Sequence, residues 1–168
     1  MSDIKTIGIA GAGTMGVGIA IVCARAGFRT RIFDLRQDAV DRARQQAELF
    51  LRKSVERGKL TAERLTEIMN QWEGSSELTD LKDCDLVIEA VFESLPVKHE
   101  LFSKLNEVCP EHTLFASNTS TISITEIAGG SGRPDRFVGM HFCLPAQLMK
   151  LVEMSRGLAT SEQTFTKA

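Results

Sequence analysis

A glycine-rich stretch near the N-terminus restricts the possible folds of this chain more than any other feature. Residues 6–24 include no charged side chain and contain five glycines, bunched at the centre of the stretch. A single helix does not tolerate such bunching, so the stretch is predicted to be a strand, a turn and a second element, and neither a signal sequence nor a membrane span. Thr6–Ala10 is predicted to be a short buried strand that ends at Gly11.

The residues after this turn complete a strand–helix–strand unit. Residues 15–26 have apolar side chains at helical spacing, and Gly27 is a suitable residue to end the helix. Arg29–Phe33 is predicted to be a second strand, which leads into Asp34. The length is typical of a βαβ unit, about 30 residues.

The glycines at the turn form a G-x-G-x-x-G motif between a predicted strand and a predicted helix. In such a motif Gly11 makes the tight turn, Gly13 lets the backbone approach a pyrophosphate, and Gly16 lets the helix pack closely on the strand. The free N–H groups of the first helical turn, at Thr14 and Met15, can then bind the pyrophosphate.

Asp34 supplies the second part of a dinucleotide site. A carboxylate at the end of the second strand can accept hydrogen bonds from the adenosine ribose and repels a 2′-phosphate. We therefore expect NAD as the cofactor, although the nearby Arg36 leaves NADP open. Asp34 could otherwise simply end a strand and begin a turn.

The remainder of the chain continues an α/β pattern. A charged amphipathic helix over residues 37–57 and a second helix from Thr61 to about Trp72 predict an inserted helical hairpin at about residues 37–72. Further strands and helices then alternate, which predicts a doubly wound, mostly parallel sheet. The predicted strands are residues 86–90, 113–116, 137–141 and 151–154, and the predicted helices are residues 96–109 and 122–128.

Composition excludes several classes of protein. Of 168 residues, 25% are charged and the formal net charge is -2, so no basic surface for nucleic acid is expected. The four cysteines are widely spaced and form no CxxC pair, so we expect neither a disulfide framework nor a metal site. Such thiols are typical of a reducing compartment, and we expect a cytoplasmic protein without membrane contact.

Five motifs, in order along nearly the whole chain, resemble those of the L-3-hydroxyacyl-CoA dehydrogenases. They are Gly-Ala-Gly-Thr-Met-Gly (11–16), Ile-Glu-Ala-Val-Phe-Glu (88–93), Ser-Asn-Thr-Ser (117–120), Gly-Met-His-Phe (139–142) and Met-Lys-Leu-Val-Glu (149–153). The resemblance implies a Rossmann-type NAD-binding domain. It also implies hydride transfer between NAD and the C3 hydroxyl of an L-3-hydroxyacyl-CoA, with 3-hydroxybutyryl-CoA as a candidate substrate, in fatty-acid metabolism.

The resemblance implies three catalytic residues. His141 matches the base, Glu153 the acid that orients it, and Ser120 the hydroxyl that binds the substrate oxygen. An imidazole suits this task because it exchanges protons near neutral pH. Taken alone, a histidine after an apolar strand is more often a core residue than a catalytic one, and Ser120 could cap a helix as well as bind the substrate.

The resemblance also implies further contacts with the cofactor. Glu93 and Lys98 match residues that contact NAD, and Asn118 lies in the loop that lines the nicotinamide site. These residues follow predicted parallel strands, whose carboxyl ends meet at the ligand-binding edge of a sheet.

Two departures from the family pattern bear on function. The family usually continues its catalytic histidine as His-Phe-Phe-Asn-Pro, whereas this chain has Cys143 and Leu144 in the third and fourth positions. The resemblance also implies an all-helical second domain, which we expect to be missing here because the chain is truncated at the start of a following helix. By itself the chain is then expected to be weakly active or inactive, and the full-length protein to be a homodimer.

Two other functions are compatible with the sequence. One is a related NAD-dependent hydroxy-acid dehydrogenase whose substrate carries no CoA. The other is a non-catalytic NAD-binding module, in which Leu144 marks the loss of catalysis.

Overall fold

The computed structural model describes residues 4–168, whose strands form one seven-stranded sheet in the order β3-β2-β1-β4-β5-β6-β7. The first six strands run parallel, and β7 pairs with β6 in the antiparallel direction. The strands are β1 (Thr6–Ala10), β2 (Arg29–Phe33), β3 (Trp72–Ser75), β4 (Leu86–Glu89), β5 (Leu114–Ser117), β6 (Phe137–Phe142) and β7 (Val152–Arg156). This sheet confirms the expected Rossmann-type, mostly parallel architecture.

The described residues also form six α-helices and two short 3₁₀ turns, and the last helix follows β7. The helices are α1 (Thr14–Arg25), α2 (Gln37–Glu56), α3 (Ala62–Asn70), α4 (Leu95–Val108), α5 (Ile124–Gly129) and α6 (Glu162–Lys167), and the turns are Leu78–Leu81 and Pro134–Arg136. Within residues 4–168 no helix is both long enough and apolar enough to cross a bilayer.

Side chains that alternate along the strands build one apolar layer on each face of the sheet. In β5, Leu114 and Ala116 pack in the layer that α1, α2 and α3 cover, whereas Phe115 points to the opposite layer with α4 and α5. Phe102 and Phe137 flank Phe115 there, with ring centroids of the Phe102–Phe137 pair 4.6 Å apart. Burying each such ring contributes roughly 2–3 kcal/mol, so the sheet is held from both sides.

The strand order reverses between β1 and β4. The chain leaves β1 for α1 on one face and leaves β4 for α4 on the other. The loops after these two strands therefore diverge and open a crevice at the carboxyl edge of the sheet, where such folds bind their ligands.

The predicted helical hairpin contains a strand that the sequence analysis missed. The helix expected to reach Trp72 ends at Asn70, and Trp72 begins β3, which pairs with β2 at the edge of the sheet. The four residues Trp-Glu-Gly-Ser carry a single large apolar side chain, so they show no strand pattern. Burial of Trp72 against the helices decides the conformation of this segment.

A substitution at Gly16 tests how closely α1 packs on β1 and the loop that follows it. A Cβ at Gly16 would overlap the carbonyl oxygen of Gly11, which is backbone and cannot rotate away. We expect Gly16→Ala to lower the free energy of unfolding by about 2 kcal/mol or more, measured by urea denaturation. Gly129→Ala is the control, because no described atom lies within 4 Å of a Cβ at that position. Equal stability of the two variants would contradict this packing.

Candidate active site

The glycine loop after β1 lies at the crevice with its backbone exposed. Gly11 has a positive φ of 113°, and a Cβ there would lie 2.5 Å from the carbonyl oxygen of Ala90. Gly13 precedes α1, and no side chain caps this helix. A Cβ at Gly13 would meet no described atom within 4 Å, so the backbone here is open to the close approach of a ligand, next to the unpaired N–H groups that begin any helix. This arrangement fits the pyrophosphate of a dinucleotide.

Asp34 is fixed beside this loop by two backbone N–H groups. The Asp34 Oδ2 atom accepts a hydrogen bond from Ala12 at 3.0 Å, and Oδ1 accepts one from Arg36 at 3.1 Å. The Arg36 side chain is 68% exposed and its Nε lies 4.0 Å from Asp38. The carboxylate at the end of β2 therefore has a defined position next to the glycine loop, where a ribose would lie.

A buried ion pair ties the end of β4 to α4. Glu89 is 0% exposed and Lys98 is 1% exposed, and the Lys98 Nζ lies 2.6 Å from the Glu89 Oε1. The Ser117 hydroxyl, at the end of β5, donates to the other Glu89 oxygen at 2.6 Å, and the N–H of Val91 donates to Oε1. Glu89 is thus fully paired, as a buried carboxylate must be.

Glu93 extends this network to the loop after β5. Burial by itself would raise the pKa of Glu93, but hydrogen bonds from Thr119 and Lys98 hold it below its usual range. The Lys98 Nζ lies 3.0 Å from the Glu93 Oε2, and the hydroxyls of Thr119 and Thr121 donate to Oε1. The ionised carboxylate therefore joins the loop after β4 to the loop after β5.

Asn118 connects β5 to the strand that carries the histidine. Its backbone N–H donates to the carbonyl oxygen of Glu89, and its side-chain Oδ1 accepts a hydrogen bond from the N–H of Phe142 at 2.8 Å. The amide is thereby held next to His141 at the end of β6.

His141 and Glu153 are a cross-strand pair. They are direct partners in the antiparallel register of β6 and β7, and the His141 Nδ1 lies 2.7 Å from the Glu153 Oε2. A carboxylate only accepts hydrogen bonds, so this contact requires a proton on Nδ1. The Nε2 atom is then free to accept a proton from another molecule.

A cavity of about 290 Å³ joins most of these residues. Its lining includes six of the residues that the sequence analysis assigned to the site: Met15, Glu93, Lys98, Asn118, Ser120 and His141. Glu153 contacts His141 from behind, and Asp34 lies beside the glycine loop outside this lining. Leu144, which departs from the family pattern, also lines the cavity.

Sequence reasoning missed Glu89, although Glu89 is central to the site. It read the residue as part of an apolar strand, Leu-Val-Ile-Glu. A carboxylate that ends a fully apolar strand, with a lysine nine residues later in the first turns of a helix, is the signal that could have identified the buried pair.

The fold and this site define a dinucleotide-binding domain with a histidine–carboxylate pair. Residues 6–168 match the family described as "3-hydroxyacyl-CoA dehydrogenase, NAD binding domain", and the chain belongs to that family. NAD as the cofactor, expected from the glycine motif and Asp34, is thereby confirmed.

Relatives of the chain carry consistent names. It is 44% identical over 96% of its length to a probable 3-hydroxybutyryl-CoA dehydrogenase of Bacillus subtilis, of which it covers 56%. It is 44% identical over 97% of its length to the 3-hydroxyadipyl-CoA dehydrogenase of Escherichia coli, of which it covers 34%. The chain thus spans about half, or less, of the length of these relatives.

Solved structures agree with the assignment. The crystal structure of (S)-3-hydroxybutyryl-CoA dehydrogenase from Ralstonia eutropha superposes with a TM-score of 0.95 at 40% identity, over 98% of this chain and 58% of that one. The 3-hydroxybutyryl-CoA dehydrogenase from Escherichia coli gives a TM-score of 0.96 at 42% identity, over 98% of this chain and 35% of that one.

Substitution of Lys98 tests how strongly the stability of the fold depends on the buried network. Replacing Lys98 with methionine leaves Glu89 buried without its cation, so Lys98→Met should lower the free energy of unfolding by about 3–5 kcal/mol, measured by urea denaturation. Lys104→Met is a matched control on the same helix, since Lys104 pairs with Glu100 at the surface and its loss should change stability little. A Lys98→Met protein as stable as the control would show that the ion pair is dispensable.

Proposed function

We propose that this chain supplies the cofactor site and the proton-transferring residues of an enzyme that acts on L-3-hydroxyacyl-CoA. The reaction is hydride transfer between the C3 hydroxyl carbon of the substrate and NAD. The observation that carries the proposal is the His141–Glu153 pair, with Nδ1 and Oε2 2.7 Å apart, on the cavity that Met15 and Asn118 also line.

His141 acts as the base in the direction of oxidation. Its Nε2 takes the hydroxyl proton of the substrate while the hydride leaves the same carbon, and Glu153 stabilises the imidazolium that forms. Ser120, which is exposed on the same cavity, donates a hydrogen bond to the substrate oxygen. Bound NAD supplies the hydride chemistry, and the chain supplies position and electrostatics.

The proposal assigns the remaining site residues to the cofactor. The adenosine half contacts Asp34, and the pyrophosphate contacts the loop and first helical turn formed by Gly11, Gly13, Thr14, Met15 and Gly16. Glu93, Lys98 and Asn118 hold the nicotinamide half. The support is their position: they flank the crevice between β1 and β4 or line the adjacent cavity.

An apolar loop supports an acyl substrate. The segment between β6 and β7 exposes four large apolar side chains, Leu144, Leu148, Met149 and Leu151, of which Leu144 lines the same cavity as His141. Apolar surface of this kind is suited to an acyl chain or to a further part of the protein. It also supports the proposal that the full-length protein forms a homodimer.

The state of the cysteines supports a cytoplasmic location for the protein. All four are free thiols, as is usual in a reducing compartment, and the proposal therefore places the protein in the cytoplasm.

A single-turnover assay tests the proposed reaction. The chain, in excess over NADH, is mixed with acetoacetyl-CoA or with free acetoacetate, and the loss of NADH absorbance is followed. We expect acetoacetyl-CoA to oxidise NADH slowly and acetoacetate to oxidise it at least about tenfold more slowly. In His141→Gln the rate of NADH oxidation by acetoacetyl-CoA should fall about 100-fold or more. His112→Gln is the control, because His112 is exposed and lies outside the cavity lining.

The other outcomes separate the alternatives. Equal rates with acetoacetate would favour a hydroxy-acid dehydrogenase whose substrate carries no CoA. Saturable NADH binding without reduction of either compound would favour a non-catalytic NAD-binding module.

A further inference from the structure

A thiol joins the histidine–carboxylate pair. Cys143 comes two residues after His141, directly beyond the end of β6, and Glu153 lies opposite His141 on β7. Side chains two residues apart in an extended chain point to the same face. A ring nitrogen of His141, the Cys143 Sγ and a Glu153 carboxylate oxygen accordingly all lie within 4.8 Å of one another.

Cys143 is the accessible thiol of this chain. The other three cysteines, Cys23, Cys84 and Cys109, are buried, whereas Cys143 is half-buried. Burial raises the pKa of Cys23 and of Cys84 to about 12 and the pKa of Cys109 to about 11, so these thiols stay protonated. His141 is also half-buried and Glu153 is exposed, so solvent reaches the cluster.

We propose that His141, Cys143 and Glu153 bind a zinc ion and that the bound ion inhibits the site. Imidazole nitrogen, thiolate sulfur and carboxylate oxygen are the three ligand types that zinc prefers, and three protein ligands leave a fourth position for water. Zinc lies about 2.0–2.3 Å from such atoms, which places the ligand atoms of a tetrahedral site roughly 3–4 Å apart. The cluster, which spans up to 4.8 Å, must therefore contract slightly when zinc binds.

No metal site was expected from the sequence, because its four cysteines are widely spaced and form no CxxC pair. The pattern His-x-Cys at residues 141–143 is a shorter arrangement that brings two ligands to one face of a strand, and the third ligand arrives from a neighbouring strand. Only the strand pairing reveals it.

Zinc at this position would stop His141 from acting as a base, whichever ring nitrogen it binds. If zinc binds Nε2, it occupies the lone pair that accepts the substrate proton. If zinc binds Nδ1, the neutral ring carries its proton on Nε2, which then cannot accept another. The inhibition rests on the proposed role of His141, whereas zinc binding itself does not.

Calorimetric titration of the tag-free chain with Zn²⁺, without cofactor, tests the site. We expect one equivalent to bind, and Cys143→Ser to weaken the affinity at least tenfold. His112→Gln is the matched control, because His112 and Asp85 form a surface histidine–carboxylate pair, 3.8 Å apart, that has no thiol. The affinity of His112→Gln for zinc should stay within twofold of that of the parent chain. Mg²⁺, which prefers oxygen ligands, should not compete.

Co²⁺ gives a second readout that does not depend on affinity. Cobalt bound to the parent chain should show a near-ultraviolet charge-transfer band from thiolate to metal, and the band should be missing in Cys143→Ser. Circular dichroism checks that each variant is folded. If Cys143→Ser does not fold, Glu153→Gln replaces it, because that variant should also weaken zinc binding.

Three results would overturn the proposal in whole or in part. Zinc affinity unchanged in Cys143→Ser, or lost in His112→Gln, would place the metal elsewhere. Zinc binding that leaves the oxidation of NADH by acetoacetyl-CoA unchanged would overturn the inhibition. Failure of the dehydrogenase assay alone, with zinc still bound through Cys143, would concern the proposed function and not the metal site.

Discussion

The ion pair between Lys98 and Glu89 holds together the edge of the sheet on which the site depends. Both side chains are buried, and Glu89 also accepts hydrogen bonds from Ser117 and Val91. Lys98 extends the network to Glu93, which holds the loop after β5. Burying the pair contributes little net stability, but losing one partner is costly, so the network fixes one arrangement of the loops.

The site depends on the antiparallel direction of β7 as much as on the parallel strands before it. Parallel strands deliver the glycine loop, Asp34, Glu93 and Asn118 to one edge of the sheet, because their carboxyl ends coincide. The antiparallel β7 runs back along β6 and places Glu153 directly opposite His141. The same return strand closes the cluster that includes Cys143.

Much of this arrangement follows from local sequence, and the rest depends on contacts between distant segments. The glycine motif and the alternation of apolar segments predict the βαβ unit and the parallel sheet because their causes lie within a few residues. β3 was missed because Trp72 is buried by helices that precede it in the chain. Glu89 was missed because its partners, Lys98 and Ser117, lie 9 and 28 residues away. The proposed ligand set was missed although the resemblance already paired His141 with Glu153, because Cys143 belongs to no CxxC pair.

The most direct test of the central claim, that strand ends converge to form an NAD site, is a fluorescence titration of the chain with NADH. We predict saturable NADH binding whose affinity is at least tenfold weaker in Asp34→Ala and within twofold of the parent in Asp38→Ala, because the Asp38 carboxylate is exposed on the first turn of α2. No saturable binding in a folded sample, or equal affinity in both variants, would contradict it.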